Sequence, residues 1–364
     1  MKKTLFFVTT LNSGGIENYL LRFLRTFEGQ IEPVIICKGN EFGELEEEYK
    51  KLKNIHLIKM NVGYFDLPSY IRIFKLIKAS DFDSVCDFTG NFSGLTLLAA
   101  NLARVKKRIS FYRGSSNHFE ETFFKLSYNK MMRFLVQKNA TKILSNSRTA
   151  IEYFYPHIKS DNPKFQVIYN GIDAKIFEDV KPFAKKDFDI PDKTFVVGHT
   201  GRYDVAKNHK TIIKIAEELC GKYEDIYFVL CGKGTDTYLN SYVSSNPLLK
   251  EKMKILGYRN DVKRILPVFD LFLFPSLTEG QPNSLIEAMV SGLPIVASNI
   301  NPILETTPEE IHSELIAPLD VSGFCQKIES FYHERTRLNE KNYSQWAKGH
   351  FDGDKLFNQF FNEL

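Results

Sequence analysis

The segment LFLFPSLTEGQPNSLIEAMVSGLPIVAS sets two glutamates, Glu279 and Glu287, on either side of a proline. An apolar strand ends at Phe274, a polar loop follows, and Pro282 suits the first position of a helix, where its missing N–H is one the helix start leaves unpaired anyway. That placement points the N–H groups of Asn283, Ser284 and Leu285 out of the helix end, where aligned peptide dipoles favour an anion such as a diphosphate. Glu287 is i+3 from Ser284 and i+4 from Asn283, so its carboxylate shares their face and can accept hydrogen bonds from ribose hydroxyls beside the phosphates. Glu279, in the loop before the helix, can reach the sugar end of the same ligand. On spacing alone, a loop charge and a solvated helix charge fit the two acids equally well.

EGQPNSLIEAM resembles the Glu-x7-Glu motif of retaining family-4 glycosyltransferases (glycosyl transferases group 1), with Glu279 and Glu287 as its glutamates. The resemblance implies that Glu279 contacts the transferred sugar and that Glu287 binds the ribose. Upstream, VVGHTGRYDVAKNHKTIIKIA is similar to the family's strand–GR–loop–KN–helix segment, which implies a pocket role for Gly201 and diphosphate binding by Arg202 and Lys207. Bond cleavage leaves negative charge on the departing nucleotide, so cations fixed beside it favour the transition state over the ground state, and an arginine can bind it bidentately. LCGKG and ILGYRNDV resemble segments that line the nucleotide pocket, implying Gly232 and Tyr258 there, the second near the base. A glycine after a strand equally marks a plain βα turn. QVIYNGID is a further match, although Asn170 and Gly171 also suit an ordinary turn.

In the first half of the chain, TTLNSGGIENYL puts Gly14 and Gly15 between a strand and a helix, which resembles the family's glycine loop on the donor phosphates; glycines there permit close backbone approach. RISFYRGSSNHF departs from the family pattern. Many members carry a histidine shortly after this strand, and here Arg113 occupies that neighbourhood. Arg113 cannot accept a proton at neutral pH, but it can contact a phosphate or the sugar. His118, five residues on, is the candidate substitute, although a lone histidine near an aromatic run is more often structural.

These residues need strands that end together. TLFFVTT, PVIICKG, IHLIKM, DSVCDFT, KRISFYR, KILSNS and FQVIYNG are short apolar runs separated by helical patterns, the βαβα order of a parallel sheet. TFVVGHTGR, IYFVLCGKG, MKILGY, LFLFPS and LPIVASN form a second such series. The lysine-rich stretch EDVKPFAKKDFDIPDK, with its two prolines, suits an interdomain linker. The expected organisation is two doubly wound Rossmann-like α/β domains, residues 1–178 for the acceptor and 179–342 for the nucleotide sugar. An aromatic helix over 343–364 is expected to pack back across the junction; the resemblance implies the GT-B fold. The N-terminal MKKTLFFVTTLNSGG imitates a signal peptide, but its short apolar run reads as a buried first strand.

Residues 1–178 carry 26 Lys and Arg against 18 Asp and Glu, whereas the remainder carries 22 against 26. Within 101–150, 11 basic residues face only Glu120 and Glu121 and alternate with aromatics and Met. Such a segment can lie against anionic lipid headgroups, or be a solvated basic face over an ordinary core; no nucleic-acid module accompanies it. The five cysteines lack CxxC spacing and suit reduced core thiols in a cytoplasmic protein. Asp81-Phe82-Asp83 imitates an Asp-x-Asp metal motif but reads as a strand entrance, and the histidines show no paired-ligand spacing, so no cofactor or metal is expected.

The resemblance implies a retaining transferase that moves a sugar from a UDP- or GDP-sugar to a hydroxyl of a saccharide or lipid-linked saccharide, in cell-surface polysaccharide or glycoconjugate synthesis. The protein is expected in the cytoplasm, peripheral on the inner face of the membrane. The alternatives are a sugar-nucleotide-binding module with degraded catalysis and a GT-B-fold sugar-nucleotide epimerase.

Overall fold

The computed structural model describes residues 1–64, 66–114, 122–159, 161–178, 180–335 and 342–364. The chain forms two compact units, one of Met1–Gly171 with Gly353–Leu364 and the other of Ile172–Asp352.

In the first unit, β1 (Lys2–Val8), β2 (Ile31–Cys37), β3 (His56–Lys59), β4 (Ser84–Asp87), β5 (Lys107–Tyr112), β6 (Lys142–Ser145) and β7 (Phe165–Val167) form one sheet among the described residues, in the order β3-β2-β1-β4-β5-β6-β7. Its strand pairs are parallel, beginning with Lys2–Val8 of β1 in register with Ile31–Cys37 of β2. The connecting helices are α1 (Gly15–Thr26), α2 (Glu46–Lys50), α3 (Leu67–Lys78), α4 (Gly94–Leu102), α5 (Phe123–Asn139) and α6 (Arg148–Phe154). A sheet covered by helices on both faces has strands apolar on both sides. β1 shows this: Phe6 and Val8 enter one core with α1, and Leu5 and Phe7 enter another with α3, α4 and α5.

The second unit opens with α7 (Lys175–Glu178). Its sheet, again parallel, comprises β8 (Phe195–Thr200), β9 (Ile226–Cys231), β10 (Met253–Ile255), β11 (Leu271–Phe274) and β12 (Ile295–Ala297), ordered β10-β9-β8-β11-β12. The helices are α8 (His209–Lys222), α9 (Thr235–Ser245), α10 (Pro247–Lys252), α11 (Val262–Ile265), α12 (Asn283–Val290), α13 (Asn301–Thr306), α14 (Val321–His333) and α15 (Ser344–His350). Its core joins Phe195, Val197, Phe228 and Leu230 of the sheet to Ile212, Leu219, Phe324 and Ile328 of α8 and α14.

In each sheet the strand order reverses direction at one place, between β1 and β4 in the first and between β8 and β11 in the second. The crevice beyond the strand ends at such a reversal is where open α/β sheets hold ligands.

The division at Gly171 precedes the boundary expected after residue 178, and the lysine-rich stretch is packed structure of the second unit. Lys185 Nζ donates to Asp270 Oδ2 and to Thr194 O, both at 2.8 Å, and the Arg264 guanidinium lies 4.0 Å from the Phe183 ring centroid. The C-terminal segment is two helices where one was expected. Ser344 at the start of α15 donates from Oγ to Val290 O at 2.7 Å, within the second unit. The last helix, α16 (Gly353–Glu363), belongs to the first unit's core, with Phe360 4.5 Å from Phe23 and Phe361 4.4 Å from Phe27 between ring centroids. The chain enters α16 beside Gly171, whose Cβ, if present, would lie 2.8 Å from Gly353 Cα, so the crossing tolerates no side chain there.

Candidate active site

In the second unit, β8 ends at Thr200 and the backbone continues as an extension of the sheet: Gly201 N–H donates to Cys231 O at 2.9 Å and Tyr203 N–H to Lys233 O at 2.8 Å. Gly232 lies against this loop so closely that a Cβ there would fall 2.0 Å from Gly201 O, which explains the glycine after β9. The Asp204 carboxylate then accepts from Ala206 N–H at 2.9 Å and opens a short 3-10 turn, Val205–Lys207. Asn208 takes a left-handed conformation (φ 55°), and its amide donates to Pro275 O at 3.0 Å and Pro318 O at 2.8 Å. Leu277 N–H also donates to Ala206 O at 2.8 Å, so the loops after β8 and β11 are held together through backbone.

These constraints deliver Lys207 to Glu279. Lys207 Nζ donates to Glu279 Oε1 at 2.6 Å and lies 4.6 Å above the Phe274 ring centroid. The side chains are 16% and 10% exposed, so the pair is shielded yet reachable. The sequence singled out both residues but not their contact, which joins positions 72 apart.

Pro282 is the residue before α12, not its first residue. Its backbone is extended (φ −80°, ψ 92°), and its carbonyl accepts the helix's first bond, from Ile286 N–H at 3.2 Å. The ring still serves the start of the helix, and as the residue before it Pro282 contributes no side-chain cap to the first turn. Leu285 and Ile286 are fully buried and fix the helix, while Asn283, Ser284 and Glu287 are half-buried. Arg202 is 71% exposed, with Nε 3.7 Å from Asp204 Oδ2, an arrangement that leaves the guanidinium open to solvent. The structure thus gathers Gly201, Gly232, Lys207, Glu279 and the α12 start at the β8–β11 reversal. Tyr258, 60% exposed, follows Gly257, whose carbonyl accepts from Gly232 N–H at 2.7 Å.

Two histidines that the sequence reading passed over lie beneath this site. His199, on β8, is 1% exposed; its Nδ1–H donates to Leu273 O at 2.9 Å, and its Nε2 has no partner among the described residues. His209, the first residue of α8, is 3% exposed, and its ring centroid is 5.2 Å from that of His199. Burial, reinforced by the Lys207 charge, pushes the His209 pKa down to about 4; burial and the neighbouring His209 push His199 well below the usual histidine range. Both rings are neutral at pH 7. The available signal was alternation: His199 continues the inward-facing series Phe195, Val197.

The corresponding edge of the first unit is built differently. Gly14 is the extended residue before α1 (φ −138°) and Gly15 begins the helix, with the Glu17 carboxylate folded back so that a Cβ at Gly14 would lie 2.6 Å from its Oε2. Arg113 follows β5, its Cζ 3.8 Å from the Tyr19 ring centroid and 5.0 Å from that of Phe111. Burial lowers its pKa to about 10, which leaves it charged at neutral pH. Its Nε and Nη1 are buried with no acceptor among the described residues. His118 lies outside the described residues. Sequence reasoning also missed Lys38, whose Nζ donates to Asp87 Oδ2 at 2.5 Å and Thr89 Oγ1 at 3.0 Å, joining the ends of β2 and β4. Asp87 Oδ1 in turn accepts from Thr89 N–H at 2.9 Å and Thr89 Oγ1–H at 2.6 Å.

Residues 180–349 match the family model described as Glycosyl transferases group 1, and residues 13–176 match Glycosyltransferase Family 4. The UDP-Gal:alpha-D-GlcNAc-diphosphoundecaprenol alpha-1,3-galactosyltransferase of Escherichia coli is 30% identical over 287 residues, 76% of this chain and 71% of that protein. The N-acetylgalactosamine-N,N'-diacetylbacillosaminyl-diphospho-undecaprenol 4-alpha-N-acetylgalactosaminyltransferase of Campylobacter jejuni is 25% identical over 310 residues, 82% of this chain and 81% of its own. Among solved structures, Anabaena HepE in complex with UDP-glucose superposes with a TM-score of 0.77 at 19% identity, covering 100% of this chain and 99% of that one. A Rickettsia africae glycosyltransferase gives 0.79 at 19% identity, covering 99% and 97%.

Proposed function

From the premise that the chain belongs to the family-4 glycosyltransferases and has the GT-B fold, we propose that it moves a sugar from a nucleoside-diphosphate donor, held at the β8–β11 edge, to a hydroxyl of a lipid-linked saccharide in cell-surface polysaccharide assembly. The observation that carries the reading is the meeting of Lys207, Glu279 and the start of α12 at one strand-order reversal. The donor is a UDP- or GDP-sugar. The acceptor class is supported by the diphosphoundecaprenol named for both relatives.

Without a donor, Glu279 neutralises Lys207. An arriving diphosphate competes for that cation, so Lys207 turns to phosphate and Glu279 is freed to accept a hydroxyl of the transferred sugar. Glu287 accepts from the ribose one helical turn deeper. As the bond between the anomeric carbon and the diphosphate oxygen breaks, positive charge grows on the sugar and negative charge on the leaving group. Lys207, Arg202 and the N–H groups of Asn283, Ser284 and Leu285 stabilise the latter. These groups supply the positive charge that the leaving diphosphate requires, and we read the reaction as metal-independent on that ground. The acceptor hydroxyl attacks from the face the diphosphate leaves, and its proton passes to the departing phosphate oxygen. This route retains the anomeric configuration, in keeping with the alpha linkages in the relatives' names.

Calorimetric titration with UDP and GDP, followed by a transfer assay with a diphosphoundecaprenol-linked sugar, tests the reading. One nucleotide is expected to bind to wild type and weakly to Glu287→Ala, and the product is expected to keep the donor's anomeric configuration by NMR. Failure of both nucleotides to bind, or equal affinity in the two proteins, overturns the donor site; an inverted product overturns the same-face route.

A further inference from the structure

Helix α5 of the first unit buries one stripe, Tyr128, Asn129, Met132, Val136 and Asn139. At 100° per residue the opposite stripe holds Phe123, Lys130, Met131, Phe134 and Lys138. A helix face in water normally carries polar groups, yet Phe123 is 79% exposed, its neighbour Phe124 83%, Phe134 60% and Met131 43%. All 17 residues of α5 lack an acid, while Lys125, Lys130, Arg133 and Lys138 supply cations. Aromatic side chains outward, interleaved with lysines and no acid, is the pattern of a helix lying in the plane of an anionic lipid interface. No helix among the described residues is long and apolar enough to cross a membrane.

We propose that the outer face of α5 is a docking surface for anionic lipid bilayers, with Phe123 and Phe134 entering the headgroup–acyl boundary and Lys130 and Lys138 pairing with lipid phosphates. The argument rests on α5 alone and is separate from the donor assignment; it brings the first unit to the surface on which a lipid-linked acceptor resides. The apolar residues give a contribution insensitive to salt, and the lysines one that salt screens. Charge complementarity is what selects lipid over a second copy of the chain, because two copies of this face would set lysines against lysines.

Flotation with phosphatidylglycerol and phosphatidylcholine vesicles, without nucleotide, tests the surface. Wild type is expected to float with phosphatidylglycerol at low salt, partly at high salt, and poorly with phosphatidylcholine. Paired Lys130→Gln and Lys138→Gln changes are expected to weaken partitioning about thirtyfold, from ~1 kcal/mol per surface cation. Paired Phe123→Ser and Phe134→Ser changes are expected to remove the salt-resistant part. Both variants keep the wild-type melting temperature and nucleotide affinity, which separates loss of docking from loss of fold or donor site. Absence of wild-type flotation, equal binding to both lipids, or undiminished binding by the lysine pair overturns the proposal. A concentration-dependent dimer that the phenylalanine pair dissociates, with no vesicle binding, assigns the face to self-association and also overturns it.

Discussion

Each sheet places a lysine–carboxylate pair at its strand-order reversal, and the two pairs are built for opposite ends. Lys38–Asp87 is sealed, with side chains 9% and 0% exposed and the carboxylate's second oxygen occupied by Thr89. Lys207–Glu279 is 16% and 10% exposed and stands beside exposed Arg202 and the start of α12. A fully satisfied buried pair has no reason to release its partner, whereas a less enclosed pair can exchange one for an arriving anion. On the proposed reading, the same two residue types serve architecture in the first unit and ligand exchange in the second, and the surroundings make the difference.

Breaking the sealed pair should have the largest effect on the fold. Asp87→Ala leaves the Lys38 ammonium buried without its counterion, and urea unfolding should show a loss of about 3–5 kcal/mol in the first unit. Nucleotide binding by the second unit should be unaffected wherever the variant remains folded. The exchanging pair should instead respond in rate. Lys207→Met is expected to slow transfer by ~10²–10³ with a smaller stability loss than Asp87→Ala, read as kcat beside a thermal melt. Should Lys207→Met unfold the chain as readily as Asp87→Ala while its remaining folded fraction turns over normally, the contrast between the pairs collapses.

Weaker perturbations sharpen the picture. Glu287→Ala is expected to lower nucleotide affinity roughly ten- to hundredfold, a charged hydrogen bond being worth about 1.5–3 kcal/mol, with little change in kcat at saturation. The buried histidines add a pH test. Burial holds the His209 pKa at about 4 in the folded chain, against the ordinary histidine value of 6.5, so between these values the unfolded chain binds a proton that the folded chain refuses. Stability should thus fall as pH drops from 6.5 toward 4, by about 1.4 kcal/mol per unit for that proton, and this contribution should level off below 4. Denaturation midpoints at pH 7 and 5 should show a shallower dependence in His209→Asn; identical slopes would mean that the ring is not held neutral.

Much of the architecture was legible because parallel strands buried on both faces leave unbroken apolar runs, and TFVVGHT or LFLF admits few other readings. The Glu279 and Glu287 segment was legible for the same local reason: strand, loop and helix start are adjacent in sequence. The Lys207–Glu279 and Lys38–Asp87 contacts were not. Each joins the ends of strands separated by crossovers, so partner choice depends on sheet order, which short-range pattern does not carry. Pro282 shows a smaller limit: proline is compatible with the residue before a helix as well as with its first residue, and only the observed ψ of 92° decides. The domain boundary shifted because a proline- and lysine-rich stretch looks unanchored until Lys185 is seen to find Asp270.

The placement of α16 fixes an order of assembly. The second unit is one uninterrupted segment, Ile172–Asp352, whereas the first needs Gly353–Leu364 to cover Tyr19, Phe23 and Phe27. During synthesis the later half can therefore close on itself while the earlier half still waits for its last helix, with the aromatic face of α1 uncovered. During that interval the uncovered aromatic face of α1 is apolar surface open to aggregation.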